Sequence, residues 1–346
     1  MIPHSRPDIT TKEIEAVVKA LKKKHISEGP EIAALEQDLS AMFGGAEVIV
    51  VSSGTAALFL SLTALGLGKG DLVVIPSYTC NSLFSAVSYT GATPLCADSG
   101  LNSVNITAGT VTPIMKKSVK ALVIPHTCGF IADIDSFSRF KRPIIEDCAQ
   151  CIGARHSDGS LAGTKGDVAI LSFFATKLLP GGEGGACITR NSKIAETIRM
   201  LKDPDKRVAN PRAFNFKMPD MNAALAREKL KTLKSAIKER SRIADIYDEA
   251  FGPASFRRKS AHAQPVCFRY ILDTVNAKNF IKQAESKDII CSRPVWGPIH
   301  HTIGGHCPSA EKLEHNLVSA PIYPSLTSKE IDRICKILPP ILSQKV

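Results

Sequence analysis

Apolar and polar positions along the first half of the chain follow two rhythms. Over residues 11 to 25, Ile14, Val17, Val18 and Leu21 recur at the spacing of one helix face, with Thr10 or Thr11 placed to cap it, and residues 30 to 43 repeat the pattern. Short, unbroken apolar runs then begin: Val48 to Val51, Leu72 to Ile75, Thr93 to Ala97, Ala121 to Pro125, Pro143 to Ile145, Val168 to Phe173 and Ala186 to Thr189. Runs this short and this uniformly apolar read as strands buried on both faces, with the helical stretches between them as crossovers. The pattern predicts an α/β fold with a mainly parallel central sheet flanked by helices. Ligands in such sheets bind beyond the carboxyl ends of the strands.

After Ala223 the rhythm changes. A long charged helical stretch runs to Phe251, followed by shorter alternating segments, Val266 to Leu272 and Ile289 to Trp296, and a final helix near Ser328 to Leu338. This predicts a smaller α+β C-terminal domain. At 346 residues the chain is long enough for two cores. The expected division is an N-terminal arm and helix over 1–25, a large domain over 26–240 and a small domain over 241–346.

Two of the apolar runs break at chemistry-bearing residues. In SFFATKLLPGGEGG, Lys177 stands between a strand and the glycines Gly181, Gly182, Gly184 and Gly185. A lysine beside a buried strand is costly without a partner, and glycines let backbone approach a ligand closely. In PIIEDCAQCIGA, Asp147 closes another strand. An amine that can form an imine and an acid that can hold a pyridinium proton are the two protein groups that pyridoxal phosphate requires. The first strand leads through Ser53, Gly54 and Thr55 into a helix. Such a turn is either an anion site built from free N–H groups at a helix start or an ordinary cap.

These segments resemble the DegT/StrS group of PLP-dependent sugar aminotransferases, a branch of fold type I. The resemblance runs from IPHSRPDIT through SEGPEIAALEQDL and HTCGFIADID to VSAPIYPSLTSKEID, with the motifs in family order. It implies a fold-type I transferase that binds pyridoxal phosphate, with Lys177 as the Schiff-base lysine and proton carrier and Asp147 against the pyridine nitrogen. By the same resemblance Gln150 lies near the ring oxygen, and Gly54, Thr55 and Ser172 serve the phosphate with Ser53. AFNFKMPDMNAA is similar to the family's asparagine loop, which implies a homodimer with shared sites in which Asn215 reaches the partner's cofactor phosphate. The implied reaction converts a nucleotide-linked keto sugar to an amino sugar, with glutamate as donor. Two positions depart from the family pattern: Cys80 stands where an aromatic ring usually stacks on the cofactor, with Tyr78 as a nearby substitute, and Phe174 stands where histidine is common. They keep two alternatives open, another PLP reaction on this scaffold and a silent PLP-binding or regulatory homologue.

Charge and cysteine content narrow the partners. The net charge of +11 suits an anionic ligand, but the basic clusters Lys22 to Lys24, Lys116 to Lys117 and Arg257 to Lys259 carry no interleaved aromatics, so no nucleic-acid partner is expected. No apolar run approaches a membrane span, and MIPHSRPDITTKE lacks the apolar core of a secretory leader. The ten cysteines have no disulfide-scaffold spacing, which suits reduced thiols and a cytoplasmic location. Cys148 and Cys151 form a C-x-x-C with no second pair at zinc-ligand spacing, so no metal is expected. His300, His301, His306 and Cys307 cluster in a stretch similar to the family's sugar-binding mouth, and His300 is the candidate substrate contact there, against a solvated loop.

Overall fold

The computed structural model describes residues 1–205, 213–259 and 266–342. Each of the seven expected runs is a strand: β1 Glu47–Val51, β2 Leu72–Pro76, β3 Thr93–Ala97, β4 Val119–Pro125, β5 Ile144–Asp147, β6 Val168–Ser172 and β7 Gly185–Thr189. They form one sheet in the order β1-β7-β6-β5-β4-β2-β3. β7 runs antiparallel between β1 and β6, and the other pairings are parallel. The carboxyl ends of β1, β2, β5 and β6 therefore share one edge of the sheet.

Side chains alternate across the sheet with the period of two that a strand imposes. Val48 and Val50 of β1, with Ala169 and Leu171 of β6, enter a core that includes Leu35, Leu39 and Phe43. Ile49 and Val51, with Val168 and Ile170, enter the core on the opposite face. Helix Gly54–Ala64 is apolar all round and buries every residue from Ala56 to Leu62 there. An all-apolar helix is stable only when covered on all sides.

Glycine decides how closely β7 passes β1. A Cβ at Gly185 would lie 2.6 Å from the carbonyl carbon of Ser53 and 2.7 Å from the nitrogen of Gly54. The chain therefore returns directly against the turn that follows β1.

Helix Thr11–Lys22 begins in a capping box, in which Thr10 caps and Glu13 returns a bond to the Thr10 backbone N–H at 2.7 Å. Helix Pro30–Met42 follows Gly29, which has no side chain to cap with; Asp220, at the start of the 32-residue helix Asp220–Phe251, accepts from the Ile32 N–H at 2.9 Å instead. The far part of that long helix packs Ile243, Tyr247 and Phe251 into a third core with β8 Tyr270–Asp273, β9 Leu317–Ala320 and the final helix Ser328–Leu342.

The alternating segment Val266 to Leu272 is a strand only from Tyr270 onward, as β8, paired antiparallel with β9. Ile289 to Trp296 does not form a strand; it makes single bridges, Ile2 with Ile289 and Ser292 with Ser319. Pro294 removes a ladder donor in the middle of that segment. No helix among the described residues is long and apolar enough to cross a membrane.

Candidate active site

A cavity of about 240 Å³ opens at the carboxyl edge of the sheet. Ser53, Gly54 and Thr55 reach it from the end of β1, Cys80 and Ser82 from the end of β2, Asp147 from β5, and Ser172 and Lys177 from β6. Phe174 and Glu183 stand at its open side. A wider hollow of about 630 Å³ lies at the opposite edge, beside the start of β6 and the end of β7. Its acid, Asp167, is occupied in accepting the Ile144 N–H at 2.8 Å.

The turn after β1 caps the helix that follows and keeps two N–H groups free of its own hydrogen bonds. The Ser53 hydroxyl accepts the Ala56 N–H at 3.0 Å and the Ser53 carbonyl accepts the Ala57 N–H at 3.0 Å, which leaves the N–H groups of Gly54 and Thr55 for a ligand. A Cβ on Gly54 would lie 2.9 Å from Cβ of Ser172. Only glycine lets the helix start close on the serine of β6, which brings Gly54, Thr55 and Ser172 to one cavity.

Asp147 is 6% exposed, and its Oδ1 accepts the Ala149 N–H at 3.0 Å. Burial pushes its pKa up, against that hydrogen bond and the positive charge of Lys177. Lys177 is half-buried, with Nζ 5.2 Å from the centre of the Phe268 ring. Burial pushes its pKa down; Cys80 and Asp147 oppose the shift, and Arg269 adds to it. The site thus holds an amine biased toward its neutral form and an acid with no ion pair among the described residues, both lining one cavity.

Behind Asp147, the neighbouring Glu146 is fully buried and organises the strand end. Its Oε1 accepts the Lys165 and Gly166 N–H groups at 2.6 and 2.5 Å, and its Oε2 accepts the Gly163 N–H at 2.9 Å. The Ala132 N–H donates to Nδ1 of His126 at 3.0 Å, which leaves the ring proton on Nε2, 3.1 Å from Oε2 of Glu146. Nε2 of His156 also lies 3.3 Å from that oxygen, without hydrogen-bond geometry. His126 further adjoins Cys148 and Cys151, so two buried groups of potential metal ligands share this histidine. The C-x-x-C spacing gave no sign of that convergence, because the imidazole comes from the loop after β4.

Other expected site residues lie elsewhere. Gln150 turns away from the cavity, and its amide oxygen accepts the Cys128 N–H at 2.7 Å. His300 is neither in the cavity nor in a solvated loop: it is 5% exposed, with Nδ1 2.5 Å from the Ser77 hydroxyl and Nε2 3.3 Å from Glu311. Tyr78 is fully buried beside Val104, Cys128 and Phe130, so it supplies no ring surface to the cavity. Asn215 is exposed, in the segment before helix Asp220–Phe251. Sequence reasoning missed Ser82, Glu183, Phe268 and Arg269. Glu183 was visible within the glycine cluster; the others are brought in by the fold.

The sequence profile of the DegT/DnrJ/EryC1/StrS aminotransferase family matches residues 7–339. The chain belongs to this family. Among solved structures, DesV of S. venezuelae is 27% identical with a TM-score of 0.89, over 96% of this chain and 95% of that one. A DegT/DnrJ/EryC1/StrS aminotransferase from Brucella abortus is 26% identical with a TM-score of 0.88, over 96% of each chain. PseC of Helicobacter pylori, an aminotransferase involved in the biosynthesis of pseudoaminic acid, has a TM-score of 0.91 over 99% of each chain at 18% identity, which shows the fold. This DegT/DnrJ/EryC1/StrS member is an aminotransferase of the PLP fold-type I class, with pyridoxal phosphate as its cofactor. The cavity fits that group: Gly54 forms a cradle a Cβ would fill, and Asp147 is a buried acid in want of a cationic partner.

Proposed function

We propose that the protein transfers an amino group from glutamate to a nucleotide-linked keto sugar. The observation that carries this reading is that Lys177, Asp147 and the turn Ser53–Thr55 line one cavity at the carboxyl edge of the sheet. The net charge of +11 supports a diphosphate-bearing substrate.

Pyridoxal phosphate, when bound, supplies an aldehyde that captures amines and a ring that takes up the electron pair released at carbon. The Gly54 and Thr55 N–H groups and the Ser172 hydroxyl bind its phosphate. Asp147 holds the ring nitrogen protonated, and that positive charge in turn stabilises the buried carboxylate. Lys177, with its lowered pKa, offers a neutral amine to hold the cofactor; once displaced, it takes a proton at Nζ from one carbon and returns it to another. Phe174 exchanges no protons, so this traffic rests on Lys177.

The same reading has the chain divide near residue 240, work in the cytoplasm, and form a homodimer in which Asn215 of each subunit completes the other's phosphate site. Gln150 and His300 would serve ring and sugar only after leaving Cys128 and Ser77.

The purified protein is expected to absorb visible light as an imine, to be fixed by borohydride at Lys177, and to bleach with L-glutamate. Lys177→Ala should lose transamination by several orders of magnitude, since covalent capture and proton transfer go together. Labelling at another lysine overturns the assignment. A coloured protein that no amino acid bleaches is a silent binder.

A further inference from the structure

Lys177 also borders the space behind the cavity. There it shares a small hollow with Ser5, Thr176 and Arg240. Those three residues continue into a second hollow, closed by His4, Phe268, Arg269 and Ser319. The second hollow has two guanidinium side chains in its walls and no carboxylate. Asp8, the acid of the first hollow, is held by Lys229 through its backbone oxygen at 2.7 Å and its carboxylate at 3.3 Å.

Neither arginine has an acidic partner among the described residues. Arg240 is 7% exposed, and its Nη1 donates to the carbonyls of Ile322 at 2.7 Å, Phe268 at 3.3 Å and Cys267 at 3.4 Å. Nη1 of Arg269 lies 3.1 Å from Nε2 of His4. Burial, reinforced by Arg269, pushes His4 down to about 3, so the ring is neutral and offers no counter-charge. Residues 206–212, 260–265 and 343–346 contain no Asp or Glu. Arg240 is buried and Arg269 half-buried, and the walls around them offer carbonyls and a neutral ring but no carboxylate, so the hollow favours an anion.

The hollow is also within reach of the reacting centre. Nζ of Lys177 and the guanidinium carbon of Arg269 sit 5.2 and 5.3 Å from the centre of the same Phe268 ring. The two cationic heads are no further apart than those distances combined. In glutamate the side-chain carboxyl carbon is four bonds of ~1.5 Å from the amino nitrogen, and a charge-assisted hydrogen bond adds ~2.8 Å. An amino group beside Lys177 and a side-chain carboxylate on Arg269 fit that span.

We propose that this hollow is the subsite for the donor's side-chain carboxylate, with Arg269 as its principal ligand and Arg240, Ser5 and Thr176 around it. The inference rests on glutamate being the amino donor and gives that choice a physical cause: an aliphatic donor leaves the guanidinium unpaired. The anion is a carboxylate on a short aliphatic chain.

The test uses the holoenzyme and two readouts. Glutarate, which has no amine and cannot react, should bind in calorimetry and compete with L-glutamate. Arg269→Ala should weaken glutarate binding and lower kcat/KM of the L-glutamate half-reaction by roughly 10- to 100-fold. The L-alanine half-reaction should fall by clearly less, because losing the Arg269 charge near Lys177 acts on both donors whereas losing the carboxylate contact acts on glutamate alone. Should Arg269→Ala not fold, Arg269→Lys, which keeps the charge and loses the fork, serves the same comparison with a smaller loss. Equal glutarate binding by wild type and variant, or equal losses with glutamate and alanine, would falsify the subsite. A wild type bleached by other amino acids but not by glutamate would remove the donor reading alone, and the glutarate arm would still decide the anion site.

Discussion

Cys80 holds a position where the resemblance calls for an aromatic ring, and the structure leaves that position open. It precedes helix Asn81–Tyr89 and faces the cavity, while Tyr78 is packed fully inside another core. A thiol covers less of an aromatic face than a phenyl ring does, so the cofactor forgoes part of the ~0.5–1.5 kcal/mol that stacking adds beyond burial. Cys80→Phe should therefore bind pyridoxal phosphate as tightly as wild type or up to about tenfold more tightly in an equilibrium titration. Expulsion of the cofactor from a folded variant would refute this view of the wall. Asp147 is the complementary case. Asp147→Asn keeps shape but loses the charge that, on the proposed reading, would hold the ring nitrogen protonated, so the rate should fall on the order of a hundredfold or more while the fold and much of the cofactor remain. An unchanged rate in single-turnover assays would assign Asp147 another role. Asp147 was legible because it interrupts an otherwise apolar strand end, a place where a polar group needs a reason, and Cys80 because the family resemblance marks its position as one usually held by an aromatic ring. Gln150 and His300 were not, because their settings are made by Cys128 and Ser77, distant in sequence and joined to them only by the fold.

The end of β5 is the element on which the site depends, and Glu146 is its fastener. The loop carrying Gly163, Lys165 and Gly166 closes on this carboxylate from one side and His126 from the other. Burial alone would raise its pKa, but His126, His156 and the Gly163 N–H outweigh burial and hold it well below the ordinary carboxylate range. A carboxyl depressed in the folded state contributes stability that is present above its unfolded value, about 4.3, and is lost as pH falls through the folded value. Glu146→Gln should remove that pH dependence below about 4.3. At pH 7 it should cost about 3 kcal/mol, since an amide must turn its NH₂ toward donors that now lack an acceptor. Denaturant melts across pH would show it; coincident curves for wild type and variant would exclude Glu146 as the fastener. The seven strands were readable to within a residue or two because strands covered on both faces are continuously apolar. The reversed direction of β7 was not readable, since a buried strand has the same pattern either way along; its physical trace is Gly185 against Ser53.

At the scale of the whole molecule, the proposed homodimer would make Asn215 the link from one chain to the next. The backbone around it is fixed from within the subunit: the Phe214 N–H donates to Leu201 O at 2.7 Å, the Phe216 N–H to Lys202 O at 2.9 Å, and the Ser52 N–H to Phe216 O at 2.8 Å. Phe214 and Phe216 stack at 5.3 Å, and both pack edge-on against Phe59. Asn215, between them, is exposed. The segment is thus held beside the turn that follows β1 while its one amide side chain is exposed, an arrangement that suits contact with a second copy. If sites are shared, Lys177→Ala and Asn215→Ala damage different chains' contributions to one site. Each homodimer is then impaired at both sites, whereas a mixed dimer has one site with both residues intact and one that lacks both. Mixing the two inactive variants should partly restore transamination, with recovery following the rate of subunit exchange and reaching at most half the activity of wild type per mixed dimer. Exchange demonstrated by differently tagged subunits, with no recovery, would show that Lys177 and Asn215 serve the same chain's site.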